Sequence, residues 1–195
     1  MSDSDGLMEE IRELREDPTV VFLFDVTVSI MIVVGIGLVL YGVSGIWPPM
    51  VAIESGSMEP NINTGDLVFV VSTSNFVPDD VDSRHGVVTH EVGSSEGYEK
   101  FGDYGDTIVF RPDGSDQRTP IIHRAMYYVE EGDTWEDTEG EEHTAERDGF
   151  VTRGDANSEF DQQQGLSGVV DPDWVQGKAM YRIPKVGSIR LLFPI

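Results

Sequence analysis

Between Ile53 and Pro60 the chain reads Ile-Glu-Ser-Gly-Ser-Met-Glu-Pro, which sets Ser57 between a glycine and a methionine just ahead of a proline-limited turn. A hydroxyl nucleophile needs that exposure, with flanking backbone N–H groups free to hold a developing oxyanion. Ser-Gly-Ser is equally at home in an ordinary turn, so the segment alone leaves both readings open. The composition narrows the chemistry. None of the 195 residues is cysteine, which removes thiolate nucleophiles, disulfides and Cys-ligated zinc or iron–sulfur centres. With 36 Asp and Glu against 13 Lys and Arg, the formal charge is -23, and a nucleic-acid partner, which needs cationic surface, is excluded. What remains is hydrolytic or binding chemistry on oxygen, nitrogen and carboxylate groups, with neither cofactor nor metal expected. High acid content with scarce lysine also suits a surface hydrated in concentrated salt, the expectation for a halophile and in particular an archaeon.

A serine in such a turn has to be held by a frame. Residues 1–18 are polar and acidic, with Leu7, Ile11 and Leu14 spaced for a short amphipathic helix ending before Pro18. No charged residue occurs from Val26 to Ile53, and Val26–Ile46 supplies 21 mostly apolar residues before Trp47-Pro48-Pro49. At about 1.5 Å per residue this run crosses a bilayer core of roughly 30 Å. It is too long for a secretory signal and no Ala-x-Ala site follows, so the expectation is an uncleaved transmembrane anchor over residues 19–47. Arg12 and Arg15 precede it and the next basic residue is Arg84, which predicts the N-terminus inside and residues 48–195 outside the cell membrane. Asp25 falls at the cytoplasmic edge of this span and Trp47 at its outer interface.

Beyond Pro49, short apolar runs alternate with Gly-Asp and Pro punctuation, the pattern of strands joined by turns. Strands are expected at Met50–Ile53, Leu67–Ser72, Thr107–Phe110, Ile121–Val129, Phe150–Thr152, Gly177–Ile183 and Ser188–Phe193, making an all-β domain behind one membrane helix. Two stretches interrupt it. Residues 78–106 are rich in Asp, Gly and Ser, and residues 130–148 hold ten acidic side chains against Arg147 alone. Such charge density predicts solvated insertions or long loops. His85, His90 with Glu91, and the distant His143 are read as polar loop residues, since His-x4-His spacing does not converge on an ion.

Ser55-Gly56-Ser57-Met58-x-Pro60 followed by Thr64-Gly65-Asp66-Leu67-Val68 resembles the nucleophile box of type I signal peptidases, membrane-anchored serine proteases that remove signal peptides. Three further boxes follow in order: Gly105-Asp106-Thr107-Ile108-Val109-Phe110, then Ile121-Ile122-His123-Arg124, then Gly154-Asp155-Ala156-Asn157. The resemblance covers residues 20–195 apart from the acidic stretches. Histidine rather than lysine in the third box resembles the archaeal and endoplasmic-reticulum branch of the family. An imidazole, with a reference pKa of about 6.5, also serves as a base near neutral pH without the burial a lysine requires.

The resemblance implies a signal-peptidase-like β fold and a serine-hydrolase mechanism. His123 takes the proton of Ser57, the alkoxide attacks the scissile carbonyl, and the imidazolium then protonates the leaving amine. Asp155 and Asp161 both match acids of the family's last box. Asp161 is assigned to orient His123 and Asp155 to a supporting role, although sequence alone does not order them. Ala156 stands where the family has Asn. Ser55 is nominated by resemblance as the second oxyanion donor beside the Ser57 N–H; Met58, from its place in the chain, is expected as a hydrophobic plug beside the nucleophile, on its substrate-binding side and within touch of lipid. The implied substrate is a translocated preprotein with small residues at the -1 and -3 positions, its extended backbone pairing with the strand before Ser57. Ser57 lies eleven residues past Ile46, at most about 36 Å of extended chain, so the anchor would keep the site near emerging preproteins. A translocon or other membrane subunits are open as partners. Two competing readings stay in view: a non-catalytic single-pass protein that binds peptide or assists assembly on the same fold, and, less favoured, a self-cleaving repressor-type protease, which would need a Ser-Lys pair.

Overall fold

The computed structural model describes residues 17–187; the amphipathic helix expected around Leu7, Ile11 and Leu14 and the strand expected over Ser188–Phe193 lie outside them. The chain divides into two compact units, Met1–Gly42 and Val43–Ile195. The first is built on helix α1, Pro18–Ser44, 27 residues long. Asp17 caps it, its Oδ1 accepting from the Thr19 N–H at 2.7 Å with Pro18 as the first helical residue. The helix therefore starts earlier than the uncharged run, and Asp25 lies two turns inside it. Thr27 and Ser29 return their hydroxyls to the carbonyls of Leu23 and Asp25, each at 2.7 Å, so their polar groups are satisfied within the helix. At about 1.5 Å per residue it spans about 40 Å. It is apolar on every side, and none of its most apolar 18-residue window is buried against protein. It is long and apolar enough to cross a membrane.

The second unit is mostly β-sheet. Strands β1 (Met50–Ala52), β2 (Leu67–Val71), β5 (Thr107–Phe110), β6 (Ile121–Val129), β9 (Gly149–Arg153) and β10 (Val175–Ile183) form one antiparallel sheet in the order β1-β2-β10-β5-β6-β9. All six strands predicted within the described residues are present, within a residue or two at their ends. Alternation along β5 divides its side chains between two cores. Val109 joins Ile53, Met58, Ile62, Val68, Val70 and Ala179, while Ile108 and Phe110 join Val87, Ala125, Phe150 and Val170.

The two acidic stretches are not plain solvated loops. The first carries helix α2 (His90–Glu96) and a hairpin of β3 (Glu99–Lys100) and β4 (Asp103–Tyr104), with Val87, Val88 and Thr89 buried. Thr89 caps α2 and Gly97 ends it in the left-handed conformation, φ 77°. The second folds into a hairpin of β7 (Thr134–Glu136) and β8 (Glu142–Thr144), which drops Trp135 and Ala145 into a third core with Met126, Val151, Phe160 and Val169. Most of the acids take outward positions and the few apolar residues between them take inward ones, while Asp106 and Asp137 are buried and hydrogen-bonded.

Two buried charges belong to this frame. Lys178 on β10 is fully enclosed, its ammonium giving a 2.7 Å hydrogen bond to the Gly86 carbonyl and standing 3.8 Å from Asp106. Burial pulls its pKa below the ordinary lysine range despite the neighbouring carboxylate. Asp66 closes the turn between Ser57 and β2: its carboxylate accepts from the backbone N–H groups of Asn63 and Lys185, each at 3.0 Å, and from Arg182 at 3.2 Å. Its backbone carbonyl accepts from Ile53 N–H at 2.9 Å, which sets the strand end leading to Ser57.

Burial pushes the Asp66 carboxyl up, but these donors together hold it below the ordinary value of 3.8. The stability it contributes is therefore complete above that value and is lost as pH falls through its lower folded pKa. Asp66→Asn is expected to lower stability at pH 7 and to shrink the difference between stability at pH 7 and at pH 3, measured by denaturant unfolding at both.

Candidate active site

Strand β6 runs through the middle of the site. Consecutive side chains on a strand point to opposite faces, so His123 and Arg124 stand back to back and each requires its own partner. Both are almost wholly buried, at 3% and 1% exposure. His123 Nδ1 lies 2.8 and 2.7 Å from the two oxygens of Asp161, and its Nε2 lies 2.9 Å from Ser57 Oγ. A carboxylate only accepts, so Nδ1 donates to Asp161 and Nε2 is left to accept from the Ser57 hydroxyl. Asp161 is itself fully buried and takes a second hydrogen bond from Thr152 Oγ1 at 2.6 Å, while its backbone N–H binds the Thr152 carbonyl at 2.9 Å. β9 thus fixes the acid that fixes the imidazole.

Asp155 does not touch His123. Its two oxygens take a bidentate pair from Arg124, Nε at 2.8 Å and the terminal nitrogen at 2.7 Å, with Asn61 Nδ2 adding a third bond at 2.8 Å. The remaining Arg124 nitrogen donates to the carbonyls of Lys100, Tyr104 and Gly105 at 3.2, 3.1 and 3.0 Å. One guanidinium therefore joins β6, the β3–β4 hairpin, the loop after β9 and, through Asp155, the turn that follows Ser57. Of the two acids that sequence left unordered, Asp161 meets the histidine and Asp155 meets the arginine.

The serine turn docks on the loop after β9. The Ser57 carbonyl accepts from the Ala156 N–H at 2.9 Å, a backbone bond that needs no side chain at position 156. A Cβ at Gly154 would come within 2.5 Å of that carbonyl and 2.9 Å of His123 Nε2, so only glycine permits the approach. Ser55 is exposed, with its hydroxyl 3.2 Å from Ser57 Oγ. Met58 differs from its expected place. It is fully buried in the core with Ile53, Ile62 and Val68, facing neither substrate nor lipid, because the chain turns inward directly after the serine. Its apolar bulk anchors the turn from below.

Thr152, Arg124 and Asn61 were not singled out by sequence. Arg124 had a legible signal, since an arginine next to a histidine on a buried strand must face the other core and demand a carboxylate there. Thr152 had none, because its value depends on a partner nine residues away. The remaining histidines face separate partners: His85 meets the Tyr128 hydroxyl at 3.2 Å, His90 stands 3.4 Å from Asp103, and His143 meets Asp137 at 2.8 Å. Asp137, Glu141 and His143 lie close enough together to share an ion, on the β7–β8 hairpin. Comparison with protein-family models and with curated proteins finds no match to this chain.

Taken together, the contacts give a hydroxyl, a base able to take its proton, and a buried anion to stabilise the base once charged. The two acids separate experimentally. Asp155→Ala strands a buried guanidinium and is expected to cost about 3–5 kcal/mol in denaturant unfolding. Asp161→Asn is expected to leave the fold stable while lowering the rate of Ser57 labelling by a fluorophosphonate by about 10^3-fold or more, because the amide reverses the imidazole tautomer. Gly154→Ala should slow the same labelling by about 100-fold, as expected for an ångström-scale displacement between reacting groups.

Proposed function

We propose that this chain is a membrane-anchored serine endopeptidase of the signal-peptidase type, which removes N-terminal signal peptides from translocated preproteins after small residues at the -3 and -1 positions. The observation that carries the reading is the unbroken line of hydrogen bonds Ser57–His123–Asp161, formed by the residues that match the boxes of the archaeal and endoplasmic-reticulum branch. Ser57 is the nucleophile, His123 the general base and then general acid, and Asp161 the group that holds the imidazole in the right tautomer. Asp155 supports the site through Arg124. Ser55, with its hydroxyl beside Ser57 Oγ, is the second oxyanion donor beside the Ser57 N–H.

Attack on a peptide carbonyl places the new C–O bond on Ser57 and the proton on His123 Nε2. The carbonyl oxygen becomes the oxyanion, and collapse expels the amine, which takes the proton from the imidazolium. Water, deprotonated by the same nitrogen, then releases the acyl group. Among the described residues strand β1 is an edge of the sheet, and it leads toward Ser57, so an extended peptide can pair with it there. The anchor is α1, with the β unit on the outer face of the cell membrane. The acidic composition is that of a protein working in concentrated salt.

The test is cleavage of a preprotein bearing an Ala-x-Ala site by the full chain in detergent at molar salt. Wild type is expected to cut after the second Ala, with Ser57→Ala and His123→Ala reducing the rate by at least about 10^4-fold. Ser55→Ala is expected to lower turnover by about 100-fold. A wild-type chain that binds the peptide and leaves it whole would overturn the reading in favour of a peptide-binding protein.

A further inference from the structure

The chain has four asparagines, at positions 61, 63, 75 and 157. Three commit their side-chain amides to the frame. Asn61 Nδ2 donates to Asp155 at 2.8 Å, Asn63 Nδ2 to the Pro60 carbonyl at 3.3 Å, and Asn75 Nδ2 to the carbonyls of Val43 and Ser44 at 3.2 and 3.1 Å. Asn157 does not. Its backbone is fixed, since its N–H binds the Gly154 carbonyl at 2.9 Å and closes a turn. Its half-buried side chain has no hydrogen-bond partner among the described residues. An amide carries two N–H donors and a carbonyl acceptor, so this one is free to bind something else.

Where that amide stands decides what it can bind. The Cβ that Gly154 lacks would lie 2.9 Å from Asn157 Nδ2 and 2.9 Å from His123 Nε2, so the two nitrogens border the same small space. The Ser57 carbonyl closes a third side of it and is already bonded to the Ala156 N–H. In peptide cleavage, His123 Nε2 first takes the Ser57 proton and then gives it to the leaving nitrogen, which must come within about 3 Å of it. The residue that begins with that nitrogen therefore passes beside Asn157. The oxyanion is served elsewhere, by the Ser57 N–H and Ser55. Ala156 and Ser158, on either side of Asn157, are exposed, and Ala156 adds little bulk to this rim.

We propose that Asn157 binds the leaving half of the substrate, its Nδ2 donating a hydrogen bond to the backbone carbonyl of the residue that follows the scissile bond. That carbonyl belongs to the same residue as the nitrogen His123 protonates, close enough for the amide and the imidazole to meet the two together. Holding the carbonyl thus also brings the leaving nitrogen to Nε2. The contact reads main chain rather than side chain. It favours a peptide bond inside a continuing chain over an amide or ester with nothing beyond it, and it leaves the residue type at that position open. This inference rests on the endopeptidase reading of the site.

A pair of substrates separates this contact from a general effect on the site. Both carry the same segment ending in Ala-x-Ala; one continues as a peptide, and the other ends in an aminocoumarin, a leaving amine with no backbone carbonyl. The full chain in detergent at molar salt is assayed on each, and Ser57 is labelled in parallel with a fluorophosphonate, whose leaving group is fluoride. Asn157→Ala removes the amide, and Asn157→Asp keeps the shape and lacks the N–H donors. Both are expected to lower the ratio of kcat/KM for the peptide over the coumarylamide by about ten-fold, the worth of one hydrogen bond, with the labelling rate held within about two-fold. Equal losses on both substrates and in labelling overturn the inference, because Asn157 then only shapes the loop. An unchanged ratio overturns it as well. A wild-type chain that takes the label at Ser57 and cuts neither substrate overturns the endopeptidase reading and this inference together.

Discussion

The alternation of one β-strand governs the architecture of the site. Because β6 places a histidine and an arginine on successive residues, a buried imidazole and a buried guanidinium face opposite ways and each requires a carboxylate. The loop after β9 supplies both acids, Asp155 and Asp161, six residues apart. That spacing lets the chain pass around the end of β6 and present one acid to each side. The bidentate grip of Arg124 on Asp155 then determines where the loop begins, and Thr152 determines where Asp161 points. Neither acid can substitute for the other.

The same loop receives the serine. A carbonyl-to-N–H bond from Ser57 to Ala156 and the missing side chain at Gly154 bring the turn close enough for its hydroxyl to reach His123. From beneath, Met58 is held in the core; from beyond, Asp66 closes the turn against the end of β10. The turn is restrained on three sides, and the side left exposed is that of Ser55. Such restraint suits electrostatic preorganisation, which depends on groups that do not need to move as charge develops.

Much of this was legible in the sequence because it follows local rules. The strands were marked by apolar runs between turn residues, and the helix by an uncharged stretch that no soluble strand could match. Ser57, His123 and the two acids were nominated by motifs. Asp155 and Asp161 could not be ranked, since ranking them requires knowing which face of β6 each reaches. Met58 was misplaced for a related reason: a methionine beside a nucleophile reads as a site residue until the turn's direction is known. The acidic stretches were read by their average charge, which hides Trp135, Ala145 and the Val87-Val88 pair that fold them. Structure in such segments is carried by a few inward positions and leaves little trace in composition.

The guanidinium of Arg124 holds carbonyls at positions 100, 104 and 105, an acid at 155 and, through that acid, an amide at 61. These segments are far apart in the chain, and bringing them together means closing several long loops at once. A nascent or partly unfolded molecule therefore contains the serine and the histidine but no pairing between them. The hydrogen bond between Ser57 and His123 is thus a property of the closed fold and of no shorter stretch of the chain.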